Sequence, residues 1–233
     1  MKEKMKKEKL SHGDLFYLEL PGNVYVRGRV LFDVHKQYHK LVDYNALPDS
    51  QQNYFHWYAG CQLVEMYKGV YSSASQIKSS LGEVLIAGAL IVAIDSRGNK
   101  EVPFGKLGHI PVDYTQIEFP ETLPINDDEE SVYLHRGELS LLTRLPFKEG
   151  EQIDISDTLE YPTVLGDASL FYQNRRDLIK RYVYDSYLTD SNLRYHPELR
   201  KRVYEEMGED PTLSYYEFAK KRGFDLARFF EKR

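Results

Sequence analysis

A single cysteine, a single tryptophan and no apolar run long enough to cross a bilayer set the first limits on this chain of 233 residues. Cys61 standing alone precludes an intrachain disulfide and a thiolate metal site, and it points to the cytoplasm as the compartment. Its neighbours Tyr58, Leu63 and Val64 make it a small buried hydrophobe. The longest apolar stretch, residues 84–94, is far shorter than the ~20 residues of a spanning helix and contains Gly88. Lys2, Lys4, Lys6, Lys7 and Lys9 open the chain without the apolar segment of a signal peptide, so residues 1–10 read as a solvated tail. Also missing are a Gly-x-Ser-x-Gly elbow, a Walker loop and a dinucleotide-binding glycine pattern. No internal repeat of ~20 to 50 residues is evident.

Metal chemistry is equally poorly provided for. The seven histidines are scattered, and only His35 and His39 have a spacing that would put two imidazoles on one helical face. No glutamate follows His35 as a metalloprotease would require, and no third ligand stands out. Asp127, Asp128, Glu129 and Glu130 lack the alternation and central glycine of a calcium loop and read as solvated. The sequence therefore offers no catalytic residues, no metal site and no cofactor.

What it does offer is a β-hairpin. Phe16, Leu18 and Leu20 alternate with Tyr17 and Glu19, and beyond Pro21-Gly22-Asn23 the residues Val24, Val26, Val30 and Phe32 alternate with Tyr25, Arg27 and Arg29. Period two on both sides of a short glycine-containing loop predicts paired strands with one buried face. Further strands are predicted at 60–70 and 83–94, the second apolar enough for a central strand covered on both faces. Alternation recurs at Ile110, Val112 and Tyr114 and at Ile117 and Phe119. Another hairpin is predicted around Arg136-Gly137-Glu138.

The pattern Gly13-Asp14-x-Phe16, then Leu20, then Tyr25-x-x-Gly28-Arg29-Val30 resembles the opening of the immunity protein 26 family, cytoplasmic antitoxins found with bacterial polymorphic toxins. The resemblance is carried by the first hairpin and decays toward residue 120. It implies a non-enzymatic protein that binds and neutralises a cognate toxin, with no cofactor. The family name is also associated with phosphotriesterase activity, so a metal-dependent hydrolase is the alternative function. Such a site usually opens with His-x-His, which this chain lacks, although Asp33 and Asp113 lie near His35 and His109 in sequence. An oligomerising scaffold is the third class.

Charge favours a protein partner over nucleic acid. Residues 11–163 hold 12 basic against 22 acidic residues, a net of −10, whereas 164–233 hold 14 against 12. An acidic body repels polyphosphate and attracts a basic partner through a salt-sensitive field. The run at 54–58 packs four aromatics into five positions, so Tyr54, Trp57 and Tyr58 are candidate contact residues, or core residues if the run is a strand.

Near the acidic segment 147–164 the period changes from two to 3.6. Asp167 is a candidate cap for a helix whose inner face is Phe171, Leu178, Tyr182 and Val183, with Arg175, Arg176, Lys180 and Arg181 wet. Pro197 and the Ser214…Glu217 capping box start two more helices, the first stopped by Gly208, and Gly223 is a candidate break in the second. The predicted architecture is α+β: an N-terminal antiparallel β-barrel-like domain at 11–146, a connector at 147–164 and a helical C-terminal appendage at 165–233.

Overall fold

The computed structural model describes residues 8–46, 55, 59–96, 99, 101–124, 132–144, 155 and 160–231. The chain is α+β, and it divides into two compact units that each gather three separate segments: 1–33, 60–112 and 160–183 in the first, 34–59, 113–159 and 184–233 in the second. The linear boundaries expected at 146 and 164 do not follow this division.

The first unit is built on a five-stranded antiparallel sheet. Its strands are β1 (Asp14–Leu20), β2 (Val24–Asp33), β3 (Cys61–Tyr71), β4 (Val84–Val92) and β5 (Phe104–His109), in the order β4-β3-β2-β1-β5. The predicted β1–β2 hairpin is present with Leu20 opposite Val24 and Leu18 opposite Val26. Gly22 and Asn23 take φ of 87° and 58° in the turn, values that these two residue types tolerate. Phe16, Leu18, Leu20, Val26, Val30 and Phe32 are all buried on the face that the alternation marks.

Among the described residues the sheet does not close into a barrel. Its outermost strands, β4 and β5, are not hydrogen-bonded to each other. The register of β3 with β4 shifts twice, between Val64 and Met66 and between Met66 and Tyr67, and the Val92 N–H donates to Glu160 O at 2.9 Å. Such bulges twist an edge strand away from further pairing. β4 is thus an edge strand and not the central one its apolar run suggests; Val84 is 45% exposed. Its hydrophobicity is used by a helix, α1 (Pro162–Tyr172), which packs on β4, β1 and β3.

Helix α1 departs from the expected one. It begins at Pro162 with Tyr161 at the N-cap, and Asp167 lies buried mid-helix against Arg181 Nε at 3.2 Å. Leu165, Ala168 and Leu170 are fully buried, so the helix is apolar on nearly every side and shows little amphipathic signal. A Cβ on Gly166 would lie 2.4 Å from Leu20, which explains a glycine inside a helix. The strand expected around Ile110 to Tyr114 sits earlier, as β5. Gly105 allows the Tyr17 ring to lie where a Cβ would be 2.5 Å from it. Residues 8–10 are docked, with Leu10 buried and its N–H donating to Asp95 at 3.1 Å.

The second unit holds the short strands β6 (Glu121–Thr122), β7 (Val132–Arg136) and β8 (Leu139–Thr143), in the order β6-β7-β8. β7 and β8 form the predicted hairpin, with Arg136 opposite Leu139 and Gly137 at φ 58°. Helix α2 (Pro197–Glu206) has Pro at its start, buries Val203 and Tyr204, and stops at Gly208 with φ 68°. Helix α3 (Tyr215–Lys220) opens with the reciprocal Ser214–Glu217 capping box. The rings of Tyr38, Phe55, Phe119 and Tyr215 form a chain of edge-on contacts, with centroids 4.6 to 5.5 Å apart, as the core of this unit.

Candidate functional site

Seven residues of the opening pattern lie in the first hairpin, and Gly13 stands directly before it. Gly13 has φ 87°, donates to Val30 O at 2.7 Å and accepts from Ile110 N at 2.8 Å, so its backbone ties β2 to the residue after β5. His109 lies against it where a Cβ would be only 2.5 Å away. The Asp14 carboxylate then accepts from Ser11 N at 2.9 Å, from Lys106 Nζ at 2.8 Å and from His109 Nδ1 at 2.9 Å. Burial opposes its charge, yet Lys106, His109 and the Ser11 N–H outweigh that and hold the carboxyl below its ordinary range. His12 is also pushed down, by burial and then by the neighbouring His109.

Gly28 sits under a close crossing: a Cβ there would be 2.4 Å from Glu65 O and 2.8 Å from the Phe16 ring. Beside it Arg29 Nε donates to Glu65 at 2.8 Å, and the Tyr67 hydroxyl donates to the same carboxylate. Burial, and then Glu65, raise the Tyr67 phenol. Arg27 lies over the Tyr67 ring at 5.3 Å and binds Lys78 O at 2.8 Å and Ser80 O at 2.6 Å, fastening the connection between β3 and β4. Phe16, Leu20 and Val30 are core residues, and Tyr25 is half-buried, opposite Tyr71. These residues close the hairpin unit.

The Asp14–His109 pair orients an imidazole, as a general base requires, but Lys106 on the same carboxylate makes the group an ionic clasp of β1 to β5. His35 and His39 have ring centroids 6.4 Å apart, and His39 Nε2 is 2.9 Å from Phe55 O. Among the described residues no three His, Cys, Asp or Glu side chains come together as metal ligands. Cys61 is buried, and its thiol is pushed up to about 12 by burial and then by Asp33. Tyr54, Trp57 and Tyr58, the candidate contact residues, lie outside the described residues, as does the acidic run 127–130.

Sequence reasoning misses a buried charge cluster in the second unit. Glu121, fully buried, accepts from Arg200 through both oxygens at 2.6 and 2.9 Å and has Arg136 Nε at 3.2 Å and Arg194 at 3.4 Å. Glu118 receives Arg136 at 2.9 Å and Arg194. Arg136, 1% exposed, also reaches the Tyr204 hydroxyl at 3.2 Å and Leu213 O at 3.0 Å. Three guanidiniums on two carboxylates join β6, β7 and α2. Burial works against Glu121, but Arg200, Arg136 and Arg194 hold it below the ordinary range.

Asp14 and Glu121 share a sign of pH dependence. A carboxyl whose folded value is depressed stabilises the fold above its unfolded value of about 4, and that contribution disappears as pH falls through the folded value. The stability lost in Asp14→Asn, measured by urea unfolding, is therefore expected to be full at about pH 7 and to shrink below about pH 3. A loss that is the same at both ends would show that the Lys106–His109 clasp does not act through the Asp14 charge.

The compact units also relocate the charge. The first unit holds 16 basic and 12 acidic residues, and the second holds 15 basic against 24 acidic, a net of −9. The acid excess belongs to the unit of β6, β7 and β8. Among the described residues no helix is long and apolar enough to cross a membrane. No protein-family model, no curated protein and no solved structure matches the chain.

Proposed function

We propose that this protein is a cytoplasmic, non-enzymatic immunity protein that binds and neutralises a cognate bacterial toxin. The observation that carries this reading is the resemblance of Gly13, Asp14, Phe16, Leu20, Tyr25, Gly28, Arg29 and Val30 to the immunity protein 26 family, with seven of them in one hairpin and Gly13 directly before it. Their side chains and backbone are spent on tying the strands together and filling the core, so toxin contact falls to other surfaces. Inhibition then needs no cofactor: a bulky acidic partner covers the working surface of a basic enzyme, guided by charge and anchored by aromatics.

The test is to recover the adjacent reading frame, express its product in bacteria, and add this chain. The expected result is restored growth and a copurifying complex. Continued killing in the presence of folded chain would overturn the reading. Trp57 is the proposed anchor, with Tyr54 and Tyr58 beside it. Trp57→Ala is expected to cost about 2 kcal/mol of binding with folding stability unchanged. Lost stability with unchanged affinity per folded molecule would place Trp57 in the core.

A further inference from the structure

Among the described residues, three of the four strand edges are protected, and one is not. β4 is bulged twice and capped by Glu160. On β5 the register shifts opposite Leu15 and Phe16, and the Lys106 N–H donates to the Glu8 carboxylate at 2.8 Å. Beyond β6, Leu123 N donates to Ile155 O at 2.9 Å. Among the described residues the outer edge of β8 has none of these devices. Its register with β7 runs unbroken from Arg136–Leu139 to Val132–Thr143. The strand Leu-Ser-Leu-Leu-Thr contains no charge and no proline.

The hairpin geometry fixes which groups face outward. The two-residue turn Gly137-Glu138 makes Arg136–Leu139 a hydrogen-bonded pair, so alternation turns Leu141 and Thr143 toward β7 and leaves the N–H and C=O of Ser140 and Leu142 pointing off the edge. These four groups make no further hydrogen bond among the described residues. Leu142 is 50% exposed, and its cross-strand neighbour Tyr133 is half-buried, as are Ser140 and the opposite His135. An open ladder beside a mixed apolar row is a template for one more strand.

We propose that the β8 edge docks an extended, basic segment of the toxin, added as a strand beside Leu139–Thr143. This rests on the immunity reading above and names the surface it would use. The unit bearing β8 carries 24 acidic against 15 basic residues, which favours a cationic segment. A second copy of the chain would set one such acidic unit against another, and like charge opposes that pairing.

The experiment follows amide exchange by NMR in the full-length protein. Four samples are compared: protein alone, with the product of the adjacent reading frame, with a synthetic strand peptide of alternating Lys and Val, and with one of alternating Glu and Val. The Ser140 and Leu142 amides are expected to exchange rapidly in the free protein, and to be protected by the reading-frame product and by the Lys–Val peptide. Leu142→Pro removes one outward donor and should weaken binding of that product about tenfold, while Ser140→Ala, which keeps its backbone, should not. Slow exchange of both amides in the free protein, or protection by the Glu–Val peptide equal to that by the Lys–Val peptide, would overturn the proposal. A complex with the reading-frame product that leaves both amides unchanged would overturn it too, while leaving the immunity reading in place. Protection by the Lys–Val peptide without any binding of that product would do the reverse: the edge would stand and the toxin assignment would fall.

Discussion

Gly28→Ala is expected to lower the melting temperature by roughly 10 °C. The added Cβ would lie 2.4 Å from the Glu65 carbonyl oxygen, 2.6 Å from Met66 Sδ and 2.8 Å from the Phe16 ring. Met66 has flexible torsions and can move. The Glu65 carbonyl belongs to β3, paired with β2 on one side and β4 on the other, and cannot retreat without breaking a ladder. Overpacking of this kind costs about 3 kcal/mol, and each kcal/mol lowers the melting temperature by about 2 to 4 °C in a chain of this size. Gly60→Ala is the control, because nothing lies within 4 Å of its added Cβ. It should change stability by less than about 0.5 kcal/mol. Equal melting of the two variants would contradict the close crossing of β1, β2 and β3.

Glu121→Leu should destabilise the second unit by about 3 to 5 kcal/mol. Arg136, Arg194 and Arg200 all converge on this fully buried carboxylate, and among the described residues Glu118 is left beside Arg136 and Arg194 without it. Most of the cost is the charge left unpaired in the interior, so removing a guanidinium as well should recover part of it. The double variant Glu121→Leu with Arg136→Met is therefore expected to unfold in urea at a higher concentration than the sum of the single losses predicts. Strict additivity would show that the cluster does not behave as one coupled group. The residual cost in the double variant reports the hydrogen bonds Arg136 makes to Tyr204 and Leu213.

Much of the fold is legible in sequence wherever one face of an element is wet. The β1–β2 and β7–β8 hairpins show in alternation and turn residues, and α2 and α3 in Pro197, Gly208 and the Ser214–Glu217 box. Legibility fails where burial is complete or where glycine replaces alternation. Helix α1 is covered on nearly all sides, so it has no polar stripe to reveal its start at Pro162. β5 is written with Gly105 and Gly108, which admit neighbours where side chains would stand. The run of β4 reads as central because apolar density alone does not distinguish a neighbouring strand from the helix that covers it.

The site divides in the same way. The opening pattern around Gly13 and Asp14 is visible because its members are close in sequence, whereas Arg136 meets Glu118 across 18 positions and Arg200 meets Glu121 across 79. Nothing local marks such a cluster. Nor does linear order show that the acid excess gathers with β6, β7 and β8, since the segments of that unit alternate along the chain with those of the other.

Direct association of the purified chain with the product of the adjacent reading frame tests the central claim, with rates measured by stopped flow over a range of salt. The account predicts a one-to-one complex whose association slows steeply as the Debye length contracts from about 30 Å at 0.01 M to about 8 Å at 0.15 M, with dissociation little changed. No complex with the folded chain, or an association rate indifferent to salt, would contradict it.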